Sequence, residues 1–195
     1  MLSEKTSSAE ILSVRQFLRS ATSIIHRRLD LAAALMRLDT LEGYRRFLAG
    51  HAAALLPLER ELGEAGIAAA LPDWSERTRT AALRADLADL GQGFDPLDPP
   101  LLGSDAAVLG AAYVLEGSRL GASVIRQQVV ADWPARYLRH GEGRKFWPSF
   151  LGHLEENASV RARPEEARAG ALATFSMFER ALTSASARDL AVAAR

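Results

Sequence analysis

The spacing of the apolar residues is the feature that most restricts the fold of this chain. Ala, Leu, Arg and Glu recur at helical spacing almost throughout, and the alternating β-branched runs typical of strands do not occur. With 195 residues, of which 48% are hydrophobic, the chain is long enough to bury one good-sized core. We therefore predict an all-α, single-domain, multi-helix bundle over residues 1–195, with flexible ends at 1–9 and 184–195.

Capping residues, glycines and prolines divide the chain into six predicted helices. Ser7 and Glu10 have the spacing of a capping box at the start of the first helix, whose apolar stripe then faces the core. Phe94 to Pro100 contains three prolines and is predicted to be a loop. The predicted helices run from Ser7, from near Thr40 to about Gly63, from after Ser75 to Gly91, from Ser104 to about Trp133, from about Arg144 to Glu156, and from near Pro164 onward.

Composition and charge exclude several classes of protein. The 24 basic and 24 acidic residues cancel, and no segment concentrates Lys and Arg as a phosphate-binding surface would, so nucleic acid is not an expected partner. The polar start lacks the core of a signal peptide, and no run approaches the ~18 apolar residues of a membrane span. We therefore expect a cytoplasmic protein with no membrane partner. The absence of cysteine excludes disulfides, a thiolate nucleophile and thiolate-held iron.

Three glycines lie inside the fourth predicted helix. Gly110, Gly117 and Gly121 are separated by seven and four residues, which places them on one face, and each costs about 1 kcal/mol relative to alanine. The bare strip of backbone has two interpretations: a close contact between two helices, or a surface on which a wide, flat ligand lies. Three polar neighbours favour a pocket border over a dry helix contact: Glu116, Ser118 and Arg119.

His26 lies where the core stripe of the first helix meets its polar face. Thr22, Arg19 and Arg15 precede it by one, two and three turns, so guanidinium groups share its edge of the helix. This arrangement suits haem, with iron under the imidazole and propionates near the arginines, although a surface histidine is the alternative. The repeated Glu-x-x-His pattern of di-iron bundles is not found, and one histidine suffices for a metal that brings its own equatorial ligands.

The other histidines have simpler interpretations. His51 falls on the apolar stripe of the second helix and is predicted to be a buried, hydrogen-bonded residue, with a pocket role as the alternative. His140 and His153 are predicted to lie at the surface.

Three separated segments together resemble the haem oxygenase family. Leu18-Arg-Ser-Ala-Thr-Ser-Ile-Ile-His26 is similar to the proximal helix of that family, which carries the axial histidine. Tyr113-Val-Leu-Glu-Gly-Ser-Arg-Leu-Gly-Ala-Ser-Val-Ile125 resembles the glycine-containing distal helix, particularly in bacterial members. Glu165 to Glu179 is similar to the last helix, which supplies a phenylalanine to the haem wall. The resemblance extends from about residue 11 to residue 182.

The resemblance implies a role for individual residues. His26 matches the axial iron ligand, Gly117 and Gly121 match the distal glycines, and Ser118 stands where many members have a carboxylate that orders distal water. Ala122 replaces a frequent second glycine, and the usual basic pair is missing from Lys145 to Leu151. The remaining haem contacts implied are a propionate-binding arginine and two aromatic residues: Arg19, Tyr113 and Phe178.

The resemblance also implies an activity. A haem oxygenase uses haem as both substrate and cofactor and cleaves it with dioxygen to biliverdin, carbon monoxide and ferrous iron. Electrons would come from a ferredoxin-like or flavin reductase, and the product would serve iron release or chromophore supply to a phytochrome. Two alternatives belong to other classes: a non-catalytic haem carrier or sensor, and a haem-free helical module of the same architecture.

Overall fold

The computed structural model describes the backbone of residues 13–193 and the side chains of residues 13–185, and every regular element in this range is a helix. A short 3-10 turn at Ile67–Ala69 follows the second helix. The α-helices of the described residues are α1 Val14–Ala34, α2 Leu41–Glu64, α3 Trp74–Arg77, α4 Thr80–Asp89, α5 Asp105–Arg126, α6 Arg136–Arg139, α7 Phe146–Glu156, α8 Ala158–Ala162 and α9 Pro164–Ala193. The all-α prediction is confirmed.

Several predicted helix ends differ from the observed ones. Helix α1 begins at Val14, because Ser13 and Gln16 form a capping box at its start; the predicted box of Ser7 and Glu10 lies outside the described residues. Helix α5 ends at Arg126 and not near Trp133. Beyond Arg126 the backbone N–H groups of residues 128 and 129 bond carbonyls three residues earlier, so the helix tightens into turns.

The third predicted helix and the predicted tail also differ. The third helix is two helices, α3 and α4, separated by Thr78 and Arg79. Helix α9 continues to Ala193, through most of the stretch predicted to be a C-terminal tail. The predicted N-terminal segment 1–9 lies outside the described residues. The loop predicted at residues 94–100 is observed.

Helix α9 is the centre of the fold, because α1, α2 and α5 all pack along it. The contact between α5 and α9 is a close approach of two backbones. A Cβ at Gly110 would lie 1.9 Å from the carbonyl oxygen of Ala167, and a Cβ at Gly170 would lie 2.1 Å from that of Ala107. Gly110 therefore serves helix packing, which confirms the first of the two interpretations at this position, and the interpretation of a ligand-facing surface is wrong for Gly110.

Helix α5 is also the most apolar long helix of the described chain. By length and composition alone it would be able to cross a membrane, which differs from the sequence-based expectation that no run approaches a span. Half of its most apolar window is buried inside the protein, and residues 108–116 are buried without interruption. These properties are those of a core helix.

Replacing glycine by alanine should have opposite effects on stability at Gly110 and Gly121 of α5. Gly110→Ala introduces a Cβ into the Ala167 backbone, so we expect a loss of about 1–3 kcal/mol in the free energy of unfolding, as for overpacking of a core. Gly121→Ala meets no atom within 4 Å and should gain up to about 1 kcal/mol from helix propensity. Urea unfolding of the free protein measures both, and equal effects of the two variants would contradict this assignment.

Candidate active site

A cavity of about 700 Å³ lies between α1 and α5, with one wall from α9. Each of the seven site residues predicted from the sequence lines it: Arg19, His26, Tyr113, Gly117, Ser118, Gly121 and Phe178. Further walls come from residues that the sequence did not single out as site residues, including Arg79, Tyr137, Trp147 and Phe175. Helices far apart in sequence therefore converge on one space of ligand size.

His26 faces this cavity from α1 with one ring nitrogen already engaged. Its Nδ1 lies 2.9 Å from Oδ2 of Asp30, one turn later on the same helix. Because a carboxylate oxygen accepts, Nδ1 carries the proton in this contact and the Nε2 lone pair is available to a metal. The ring packs edge-on against Phe175 of α9 at a centroid distance of 5.6 Å. The imidazole is thus oriented from two sides.

The glycines of α5 line the cavity in two different ways. A Cβ at Gly121 would meet no atom within 4 Å, so this part of the helix presents bare backbone to open space. A Cβ at Gly117 would lie 3.6 and 3.7 Å from the indole carbons Cζ3 and Cη2 of Trp147, which is ordinary contact. Gly121 is therefore the position where a side chain would project freely into the cavity.

Arg79 is a buried cation at the cavity that the sequence reasoning missed. One guanidinium nitrogen donates to Oγ of Ser118 at 3.0 Å, another donates to the carbonyl of Leu115 at 3.0 Å, and the buried Nε has no hydrogen-bond partner among the described residues. The Ser118 hydroxyl itself donates to the Leu115 carbonyl at 2.7 Å. No carboxylate forms an ion pair with Arg79 in the described chain. The guanidinium thus brings positive charge to the glycine side of the cavity.

His51 lines the cavity as well, and it is hydrogen-bonded as predicted. Its Nδ1 donates to the carbonyl oxygen of Phe47 at 2.9 Å. Burial lowers the pKa of His51 to about 4, and the nearby Arg79 charge acts in the same direction. The imidazole is therefore neutral at physiological pH, and its place in the lining agrees with the alternative interpretation of a pocket role.

Glu116 and Arg119 do not border the cavity, contrary to the prediction. Glu116 is fully buried and accepts from Arg77 at 2.7 Å and from Arg119 at 2.8 Å, away from the cavity lining. Arg119 also donates to Nδ1 of His140 at 3.2 Å. His140 is consequently half-buried, and burial lowers its pKa, so its assignment to the surface is wrong, whereas His153 is exposed as predicted.

Arg15 and Arg19 lie at the cavity on the turns of α1 that precede His26. Both side chains belong to exposed residues. Burial raises the pKa of the Tyr113 hydroxyl, and the charges of Arg15 and Arg19 partly offset that rise, which indicates that both guanidinium groups lie near this ring. The cavity therefore has a cationic edge in addition to the buried Arg79 on its glycine side.

Two known proteins that are similar to this chain carry the same family name. The chain is 35% identical to a protein named Heme oxygenase from Xanthomonas campestris pv. campestris over 147 residues, which are 71% of this chain and 88% of the relative. It is 31% identical to Heme oxygenase PigA from Pseudomonas aeruginosa over 184 residues, 86% of this chain and 91% of the relative. This chain belongs to the haem oxygenase family. No protein-family model matches it.

The fold agrees with that assignment. A crystal structure of the NO- and CO-bound heme oxygenase from Neisseria meningitidis superposes with a TM-score of 0.78, covering 89% of this chain and 92% of that chain at 24% identity. The predicted haem oxygenase-like bundle, with its proximal first helix and its glycine-containing helix, is therefore confirmed at the level of the fold.

The cavity suits haem on chemical grounds. Haem is a flat apolar ring that carries two anionic propionates and an iron atom that accepts an imidazole nitrogen. The cavity offers each complement: the Nε2 lone pair of His26, apolar and aromatic walls, bare backbone at Gly121, and the cationic edge of Arg15 and Arg19. A side chain at Gly121 would occupy part of this space.

The lowered pKa of His51 predicts a pH dependence of stability. In the unfolded chain His51 takes up a proton as the pH falls below its ordinary pKa of 6.5. In the folded chain it takes up that proton only near pH 4. The free energy of unfolding should therefore fall as pH drops through this window, by up to about 1.4 kcal/mol per pH unit. His51→Gln should have a shallower slope in urea unfolding between pH 7 and 4.

The exposed His153 offers a matched control for this experiment. His153→Gln controls for the histidine-to-glutamine replacement itself at an exposed position. Because the pKa of His140 is also lowered, His140 adds to the pH dependence in the same direction. The contribution of His51 is therefore the difference in slope between the parent and His51→Gln. Parallel curves for the parent and His51→Gln would show that His51 does not titrate as described.

Proposed function

We propose that this member of the haem oxygenase family degrades haem, using dioxygen and electrons from an external donor, to biliverdin, carbon monoxide and ferrous iron. The observation that carries the proposal is that one cavity of about 700 Å³ is lined by His26 of α1 and by the bare backbone of α5 at Gly117 and Gly121. Histidine is a common ligand of haem iron, and a surface without side chains leaves room for dioxygen beside the ring.

His26 is the proposed axial ligand. The contact between its Nδ1 and Asp30 supports this role, because a metal-binding histidine generally donates its other ring N–H to a carboxylate or carbonyl. The edge contact with Phe175 restricts rotation of the ring. The imidazole would then present Nε2 to the iron in a fixed direction.

Arg79, Ser118 and the glycine backbone are proposed to act on the opposite side of the ring. When bound, haem supplies the iron at which dioxygen is reduced. The backbone at Gly117 and Gly121 would bound the space on this side of a bound haem and so confine a small ligand there. Arg79 donates to the Ser118 hydroxyl, and both residues line the cavity, which supports a role for the pair in ordering water and protons here. Ser118, together with ordered water, is proposed to supply the proton, and Arg79 is proposed to hold Ser118 in position.

The remaining predicted contacts complete the site. Arg19, with Arg15 beside it, is proposed to pair with the propionates at the cavity edge, and Tyr113 and Phe178 are proposed to pack against the ring. The sequence carries no flavin or dinucleotide motif, so the electrons are proposed to come from a ferredoxin-like or flavin reductase in the cytoplasm. Iron release and chromophore supply to a phytochrome are both compatible uses of the products.

Removing His26 tests the proposed ligand. We expect His26→Ala to lose the absorption spectrum of histidine-ligated haem and to make no biliverdin or carbon monoxide when haemin is supplied with ascorbate or a ferredoxin system under oxygen. His153→Ala is the control, because His153 is exposed and lies outside the cavity lining. Added imidazole should restore part of the spectrum of His26→Ala by entering the space left by the side chain.

The result that would remove His26 from the site is an unchanged spectrum in His26→Ala. A parent protein that binds haemin with a histidine-ligated spectrum but makes neither biliverdin nor carbon monoxide would instead favour a haem carrier or sensor.

A branched side chain at Gly121 tests the glycine surface. Gly121→Leu places its side chain in the open part of the cavity, so oxygen binding and biliverdin formation should fall by at least about tenfold, the factor given by ~1.4 kcal/mol. Folding should survive, because leucine is a better helix former than glycine. Gly152→Leu is the matched control, since Gly152 is helical, meets no atom within 4 Å and lies outside the lining. Parental oxygen binding in Gly121→Leu would show that no ligand lies there.

A further inference from the structure

We propose that Trp147 determines which meso carbon of haem is opened, by blocking one edge of the cavity and so fixing the in-plane orientation of the macrocycle. The inference rests on the proposed function, and it concerns a residue on α7, a helix to which the sequence-based reasoning gave no part in the site. Arg77 is proposed as the positioning residue that holds Trp147 in this place. Neither residue is among those matched to the family by its motifs.

The Trp147 indole lines the cavity beside Gly117 of α5. Its Cζ3 and Cη2 atoms lie 3.6 and 3.7 Å from the position of a Cβ at Gly117. The ring also packs against Tyr113 at 5.5 Å between centroids and stacks on Phe150 at 6.0 Å. The residue is half-buried and lines the cavity. A flat ligand lying against Gly117 and Gly121 therefore meets the indole with its edge.

The buried guanidinium of Arg77 fixes the position of Trp147 relative to Gly117. One nitrogen of Arg77 donates both to Oε2 of Glu116 at 2.7 Å and to the carbonyl oxygen of Phe146 at 2.9 Å. Glu116 directly precedes Gly117, and Phe146 directly precedes Trp147. One nitrogen of Arg77 thus links α5 to α7 directly beside the contact between Gly117 and Trp147. Since Arg77 and Glu116 are almost wholly excluded from solvent, the link is hardly weakened by water.

Three arginines further restrain the residue before Trp147. The guanidinium carbons of Arg77, Arg119 and Arg144 lie 4.8, 5.0 and 4.7 Å from the centre of the Phe146 ring. Arg77 also pairs with Asp73, at 2.6 Å, and bonds the hydroxyl of Ser149 on the next turn of α7. Helix α7 therefore begins in a surrounding of fixed charges, so it cannot shift easily when a ligand enters.

A rigid indole at one edge has a specific consequence for haem. The substituents around the macrocycle differ in size and charge, so rotations of the ring within its plane are distinguished only by what the protein places around the ring. The arginines of α1 attract the propionates, but exposed charge pairs discriminate weakly. An aromatic wall held by packing discriminates by overlap of atoms, which is much steeper. Trp147 supplies that wall.

The test measures haem orientation in two independent ways. Proton NMR of the ferric cyanide complex counts haem orientations from the resolved haem methyl signals and needs no turnover, and chromatography gives the ratio of biliverdin isomers. In Trp147→Ala we expect the ratio of minor to major orientation to rise at least about tenfold, with a parallel change in isomers, while haem affinity changes less. Trp147→Phe should retain most of the selectivity, because an aromatic ring still fills that edge.

Two further variants separate this proposal from a general loss of structure. Trp133→Ala is the control, since Trp133 is also half-buried but stacks on Tyr44, at 5.7 Å, outside the cavity lining. It should leave both ratios unchanged. Arg77→Lys retains the charge but cannot reproduce the planar set of bonds, so it should shift the ratios in the same direction as Trp147→Ala, to a smaller extent.

The outcomes are distinguishable from a failure of the proposed function. If the parent protein makes no biliverdin, the proposed function is wrong, and the NMR count alone still decides the role of Trp147. If Trp147→Ala binds haemin with the parental orientation ratio, the indole does not set the orientation and the proposal is overturned. A shift of equal size in Trp133→Ala would overturn it as well, because the effect would then be unspecific.

Discussion

The close approach of α5 and α9 is the constraint on which the site depends. Gly110 of α5 and Gly170 of α9 each lie where a Cβ would overlap the other backbone, so the two helices are held at one point near the start of both. Further along, the same helices line the cavity, α5 with Gly117 and Gly121 and α9 with aromatic side chains. The backbone contact at Gly110 and Gly170 thus fixes α5 and α9 relative to each other, and farther along the same two helices line the cavity. At Gly110 the missing side chain lets two backbones touch, whereas at Gly121 it leaves open space in the cavity.

Buried charge is used in two different ways around this frame. Arg77, Glu116 and Arg119 form a compensated network in which every partner is close, and it connects α3, α5 and α7. Arg79 is buried beside the cavity with hydrogen bonds to a hydroxyl and a carbonyl but no ion pair in the part of the chain that the structure describes. Because burying a charge without an ion-pair partner is costly, the position of Arg79 in the cavity lining favours a role toward a bound ligand. The first arrangement holds the helices, whereas the second is available for chemistry.

The sequence identified the ligand-facing residues of two helices but not those of the connections between helices. His26, Thr22, Arg19 and Arg15 share an edge of α1 by helical periodicity alone, and all four line the cavity. Arg79 lies in the short link between α3 and α4, where no periodicity fixes the direction of a side chain. Trp147 is one of three tryptophans, and only the packing of α7 against α5 distinguishes it from Trp133. No pattern in the sequence would have found either residue.

The sequence by itself determined the helical class and the position of most helices, because periodicity, caps and prolines act over a few residues. The resemblance of three segments to the haem oxygenase family then marked His26, Gly117 and Gly121. Only the tertiary structure decided that Gly110 meets Ala167 while Gly121 faces open space, although both lie on one face of one helix. It also decided that Glu116 and Arg119 turn to Arg77 and His140 and not to the cavity. The physical reason is that a helix face is a local property, whereas what lies opposite it depends on how distant segments pack.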